Sequence, residues 1–119
     1  EVSAELIDAY AKVSGDFNPI HVDQERAIAA GFKGRIAHGL VCQAEVSRLL
    51  ASDLPGEGTI LLQETFKFLS PVYIGDTITV TLRVAELLPE KSRASFEFEC
   101  LNQDGKPVMA GTALVKLSN

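Results

Sequence analysis

The stretch from Gly39 to Asp53 confines its polar side chains to one narrow stripe, Glu45, Arg48 and Ser52, while Leu40, Cys42, Ala44, Val46, Leu49 and Leu50 cover most of the remaining circumference. A helix with so small a wet face is enclosed on several sides, and Pro55-Gly56 ends it. The material to enclose it follows in the chain. Ile78, Val80, Leu82 and Val84 alternate with Thr77, Thr79, Thr81 and Arg83, and Ala94, Phe96, Phe98 and Cys100 alternate with Arg93, Ser95, Glu97 and Glu99. That period of two marks half-buried strands. Thr59–Leu69 and Pro107–Leu117 complete a set of four. Leu88–Ser92 and Gln103–Lys106 are short enough for hairpin loops, which pair their neighbours antiparallel. Helices followed by an antiparallel run make an α+β pattern, here a curled sheet wrapped around one long helix.

Two shorter helices precede it. Ser3 caps the first, with Leu6, Tyr10 and Val13 as the expected inward face, Glu5 in the first turn and Gly15 just past the end. Asp23 caps the second, over Gln24–Ala30, and Gly31 closes it. Between them lies Ser14-Gly15-Asp16-Phe17-Asn18-Pro19-Ile20-His21, whose density of Gly, Asp, Asn and Pro demands a tight loop of specific shape.

With 119 residues and no repeat, linker or low-complexity stretch, residues 1–119 read as a single domain. A chain of this length buries roughly two thirds of its unfolded surface, so neither disulfides nor metals are needed to hold a core. Its 46% hydrophobic and 23% charged residues exclude a disordered or fibrous chain. A net charge of −5 argues against nucleic acid as the main partner, without excluding a small anionic ligand held by local basic residues. No apolar run approaches the ~20 residues of a membrane span. Cys42 and Cys100 lack metal-ligand spacing and read as reduced, buried thiols of a cytosolic, cytoplasmic protein. Glu1-Val2-Ser3 has none of the features of a signal peptide, and the missing initiator Met is consistent with a trimmed product or a piece of something longer.

Few polar residues are candidates for chemistry. The chain has two histidines, His21 and His38. Asp16 and His21 stand five apart in the loop stiffened by Pro19, and a turn can bring the two together to move protons near neutral pH. The plain alternative is that Asp16 caps loop amides and His21 is a satisfied surface residue. Gly39 opens the enclosed helix after Arg35-Ile36-Ala37-His38. Its N–H, free of any side chain, suits an oxyanion or a polarised carbonyl, though a glycine there also simply permits a sharp entry. His38 reads as a structural hydrogen-bonder. Ser47, two turns on, can donate to Asp16 or bond back to the carbonyl of Gln43. A metal held by His21, Asp23 and His38 matches no known ligand spacing.

The string Ser14-Gly15-Asp16-Phe17-Asn18-Pro19-Ile20-His21-Val22-Asp23, followed by Arg35-Ile36-Ala37-His38-Gly39-Leu40, resembles the signature of the MaoC-like (R)-specific enoyl-CoA hydratases. Leu54–Gly58, Phe66–Val72 and Ile74-Gly75-Asp76 extend the likeness over essentially the whole chain. The resemblance implies a hot-dog fold, a homodimer, and reversible addition of water to a trans-2-enoyl-CoA to give the (R)-3-hydroxyacyl-CoA. By position it makes Asp16 and His21 the catalytic pair and Gly39 the donor to the thioester carbonyl, with Asn18, Pro19 and Ser47 in support. It implies an acyl-CoA substrate and no metal or redox cofactor. Such proteins usually carry a β-strand before the helix that here follows Ser3, so that strand is expected outside the numbered chain, or the sheet lacks an edge. A 3-hydroxyacyl-thioester dehydratase, acting on CoA or acyl-carrier protein with Lys33, Arg35 and Lys67 as a basic rim, would use the same residues. An acyl-CoA thioesterase and a non-catalytic acyl-thioester binding domain are the more distant rivals. Leu50, Leu61, Leu62 and Val72 are the candidates to line an acyl tunnel.

Overall fold

A computed structural model describes residues 1–118. Helix α1 (Ala4–Ser14) starts where the Ser3 hydroxyl accepts the Leu6 N–H at 3.1 Å, and stops at Gly15, whose φ of 78° is open to glycine. Its buried residues are Ile7 and Ala11, whereas Leu6 is 41% and Val13 87% exposed. The inward face is thus rotated by one residue from the expected Leu6-Tyr10-Val13 stripe, and only Tyr10 lies partly within it. Both stripes have helical spacing. Ala11 contributes little to a hydrophobic pattern, but its small side chain lets the helix lie close to its neighbours.

A single helical turn, α2 (Pro19–Val22), leads into α3 (Gln24–Ala29), which Asp23 caps through its Oδ1. The long helix α4 (Gly39–Ser52) buries Val41, Cys42, Val46 and Leu50. Leu40 is 46% exposed and Ala44 is exposed too, so one chain covers this helix along one side, where the sequence led us to expect several. The cause is layer count. The strands form one sheet, and a single sheet covers a single helix face.

Four strands follow: β1 (Ile60–Phe68), β2 (Thr79–Leu88), β3 (Arg93–Leu101) and β4 (Pro107–Lys116), antiparallel in the order β1-β4-β3-β2. Register shifts between Leu61 and Gln63 and between Val84 and Glu86 mark bulges, which add twist and curl the sheet toward α4. The inward row of β3 is Ala94, Phe96, Phe98 and Cys100, as its alternation predicts, and Met109, Ala113 and Val115 of β4 lie beside it. Val84, expected inward, is 42% exposed on edge strand β2 just before the bulge. Gly111 sits between Phe98 and Phe66 in the register, and a Cβ there would meet the Thr65 carbonyl at 2.1 Å. Only glycine lets β4 approach β1 this closely. Both cysteines are free and buried, and burial pushes the thiol of Cys42 up to about 11 and that of Cys100 to about 12. Among the described residues, no helix is long and apolar enough to cross a membrane.

Glu64 is an exception to the apolar inner row of β1. Its register partner is the buried Ala113, one carboxylate oxygen is buried without a hydrogen-bond partner, and burial raises its pKa against the opposing pull of a hydrogen bond from Gln43. The folded state therefore binds that proton more tightly than the unfolded chain does. The stability cost is absent in acid and grows as the pH rises through the ordinary carboxylate range. Glu64→Gln is expected to be more stable than the wild type at pH 7 and to lose that advantage near pH 4, measured as urea midpoints at both pH values; an advantage independent of pH would contradict the burial argument.

Candidate active site

The loop after α1 builds itself from local bonds. The Ser14 hydroxyl accepts the Asp16 N–H, Asp16 Oδ1 accepts the Asn18 N–H, and Asn18 Oδ1 accepts the Ile20 N–H, at 3.1, 3.1 and 3.4 Å. Asn18 is thereby the N-cap of α2, with Pro19 as its first residue. An Asn-Pro pair of this kind signals a helix start, and the sequence reading missed it by treating the whole stretch as loop. The turn carries His21 inward, where it is only 8% exposed, so the surface reading of this residue does not hold.

The segment Arg35–His38 fixes the imidazoles. Ile36 donates its N–H to the Ile20 carbonyl at 3.0 Å, and Ala37 donates to the Val72 carbonyl at 2.7 Å. The Ile36 carbonyl lies 2.8 Å from His21 Nδ1. A carbonyl can only accept, so Nδ1 carries a proton, and in the neutral ring Nε2 holds the lone pair. Arg35 Nε donates to the His21 carbonyl at 2.7 Å while its guanidinium pairs with Asp8 on α1. Its side chain is 15% exposed, which removes Arg35 from the expected basic rim; Lys33 and Lys67 remain exposed. His38 is 3% exposed, stacks on His21 with ring centroids 3.9 Å apart, and has Nε2 at 2.9 Å from the Asp16 backbone carbonyl.

Gly39 is the first residue of α4, so its N–H has no acceptor within the helix and lies at the positive end of the helix dipole. A Cβ on it would fall 2.3 Å from Phe68 Cε1, because the Phe68 ring rests against this glycine. Gly39 and His21 open on a cavity of about 340 Å³, which Cys42, Phe68, Val72 and Met109 also line. Of the expected tunnel residues, Val72 is there. Leu50 is in the core at 2% exposure and does not line the cavity, and Leu61 and Leu62 are 37% and 43% exposed on β1. Phe68 and Met109 were not singled out from sequence, since their placement depends on strand register. Ser47 is half-buried, about 12 Å along the helix from Gly39, and among the described residues no hydrogen bond joins it to Asp16.

Ligating atoms of Asp16, His21 and His38 lie within 4.8 Å of one another. Asp23, the carboxylate considered from sequence, caps α3 instead. The two rings are inclined by only 25° and stacked. Their in-plane lone pairs therefore run side by side and do not converge on one point, a poor fit to tetrahedral coordination. The arrangement suits proton transfer better: a carboxylate close to an imidazole, and that imidazole lining a mainly apolar cavity together with Gly39 at a helix start.

Comparison with known proteins gives the family and the fold. The MaoC like domain family matches residues 1–99. A 3-hydroxybutyryl-CoA dehydratase of Methylorubrum extorquens is 40% identical over 98% of this chain and 74% of its own length. An (R)-specific enoyl-CoA hydratase of Rhodospirillum rubrum is 41% identical over 96% of this chain and 78% of its own. The solved (R)-hydratase of A. caviae, described as involved in PHA biosynthesis, superposes with a TM-score of 0.95 at 35% identity, covering 99% of this chain and 89% of that one. The chain belongs to the MaoC-like domain family, and its sheet and long helix have the hot-dog fold of that family's hydratases.

Proposed function

We propose that this protein is an (R)-specific enoyl-CoA hydratase, a hydro-lyase that adds water reversibly to a trans-2-enoyl-CoA to give the (R)-3-hydroxyacyl-CoA. The observation that carries the reading is the meeting of Asp16 with His21, which lines a cavity together with Gly39 at the start of α4. The thioester already makes C3 electrophilic, so the protein needs only to place a water and stabilise charge.

Asp16 and His21 hold that water. With its Nδ1 proton tied to the Ile36 carbonyl, His21 offers Nε2 as the base. As the water oxygen bonds to C3, one water proton passes to the pair, and the electrons of the double bond move toward the thioester oxygen. The Gly39 N–H and the α4 dipole stabilise that developing enolate. The enolate then collapses and C2 takes the proton from the side on which oxygen was added. Both new bonds form on one face when the Asp16–His21 pair both takes the water proton and returns it. Asn18 and Pro19 act by setting the loop that carries Asp16. Run backwards, the same steps dehydrate a 3-hydroxyacyl thioester, the direction for which the Methylorubrum relative is named.

The same reading includes a homodimer. Leu61 and Phe68, on the α4 side of edge strand β1 in register with buried Val115 and Met109, are 37% and 57% exposed, and Leu40 of α4 is 46% exposed. Gln43 bonds Glu64, which places that flank of α4 beside β1. Exposed apolar side chains beside an open strand edge are suited to a second copy. Sedimentation is expected to give twice the chain mass of 12.8 kDa; a monomer at micromolar concentration would count against the dimer.

Crotonyl-CoA tests the activity. Wild-type protein is expected to remove the conjugated enoyl-thioester absorbance without releasing free thiol. Asp16→Asn, which keeps an acceptor for the Asn18 N–H but removes the charge, is expected to lower kcat by about 10²–10⁴-fold. Thiol release would make the protein a thioesterase, and an unimpaired Asn variant would remove Asp16 from the mechanism.

A further inference from the structure

We infer that His38 is a positioning residue of the hydration step, one side chain that sets Asp16, His21 and Gly39 relative to one another. The inference rests on the hydratase reading and adds a residue to it. The three groups come from different pieces of chain: the loop after α1, the turn α2 and the start of α4. His38 touches all three. Its Nε2 lies 2.9 Å from the Asp16 backbone carbonyl, so this nitrogen carries the proton and donates it. Its face lies on the His21 ring, centroids 3.9 Å apart and planes inclined by 25°. Its own backbone is joined to Gly39 by a planar peptide unit.

Each contact restrains something no other contact does. The Ile36 carbonyl holds His21 by one ring edge and leaves the ring free to rock about that bond, and the stacked imidazole removes this freedom. Ser14 to Asn18 are all exposed, and the other bonds that shape this stretch run within it or to the adjoining turns of α1 and α2. The bond from His38 ties the Asp16 backbone to the start of α4. Tyr10 backs the His38 ring at 4.7 Å.

The choice of residue also has a cost. With Nε2 protonated, Nδ1 is a buried acceptor, and it has no hydrogen-bond partner. A phenylalanine would fill the same space with no orphaned atom, so packing alone does not call for histidine. The donor to Asp16 is what phenylalanine cannot supply.

Two variants separate the contacts. His38→Phe keeps a ring on His21 and loses the donor; His38→Gln keeps an N–H donor of similar reach and loses the imidazole. With crotonyl-CoA, His38→Phe is expected to lower kcat by about 10²-fold, the scale of a misplacement of about 1 Å, with KM changed less than about threefold and thermal stability preserved. His38→Gln is expected to recover at least about tenfold of that loss. Wild-type kcat in His38→Phe, or losses in both variants that follow their thermal stability, would overturn the inference. If His38→Phe fails to fold, nitrogen chemical shifts of the wild-type histidines decide: Nε2 of His38 must be the protonated nitrogen, and a proton on Nδ1 overturns the proposal. Inactive wild-type protein with Nε2 protonated would instead refute the hydratase reading.

Discussion

The backbone carbonyls of Ile36 and Asp16 govern the site, because each decides which nitrogen of a buried imidazole carries the proton. His21 is left with a lone pair at Nε2, and His38 becomes a donor. Neither outcome is a property of histidine alone. Both follow from where the segment Arg35–His38 is pinned, by Ile36 to the Ile20 carbonyl and by Ala37 to the Val72 carbonyl. The guanidinium of Arg35, wedged between the His21 carbonyl and Asp8, braces the same turn from behind. The chemistry thus depends on an extended stretch of four residues with no catalytic side chain of its own.

The sheet supplies the other wall. Gly111 allows β4 to press against β1, and β1 carries Phe68 over Gly39. A Cβ at either glycine would meet its neighbour at under 2.5 Å, 2.1 Å at Gly111 and 2.3 Å at Gly39. The consequences differ. At Gly111 the obstacle is backbone, which cannot move without parting two strands. At Gly39 it is the ring of a half-exposed phenylalanine, which can swing aside. One glycine therefore belongs to the fold and the other to access at the helix start.

The strands, the long helix and the resemblance of the Asp16–His21 and His38–Gly39 segments were legible in sequence because each rests on local spacing. What was not legible required knowledge of neighbours. Two faces of α1 have helical spacing, and only the packing of Ile7 and Ala11 selects between them. Arg35 looks like any surface cation until the His21 carbonyl and Asp8 are placed beside it. Leu61 and Leu62 straddle a bulge, where the alternation that assigns strand faces breaks down. Ser47 matches a family position, and among the described residues no hydrogen bond joins it to Asp16. Asp76 belonged to a motif read for its resemblance. Its carboxylate is buried in a turn, accepting the Tyr73 N–H and a Gln103 side-chain N–H, each at 2.9 Å, and its part is architectural.

The central claim is that Asp16 and His21 serve one water from one side of the substrate. Hydration of crotonyl-CoA in deuterated water, with the product's configuration read at C2 and C3, tests it most directly. The account predicts a single (R)-3-hydroxybutyryl-CoA with the deuterium at C2 on the face that received the hydroxyl. Anti addition, an (S)-alcohol, or deuterium scrambled over both faces of C2 would contradict it.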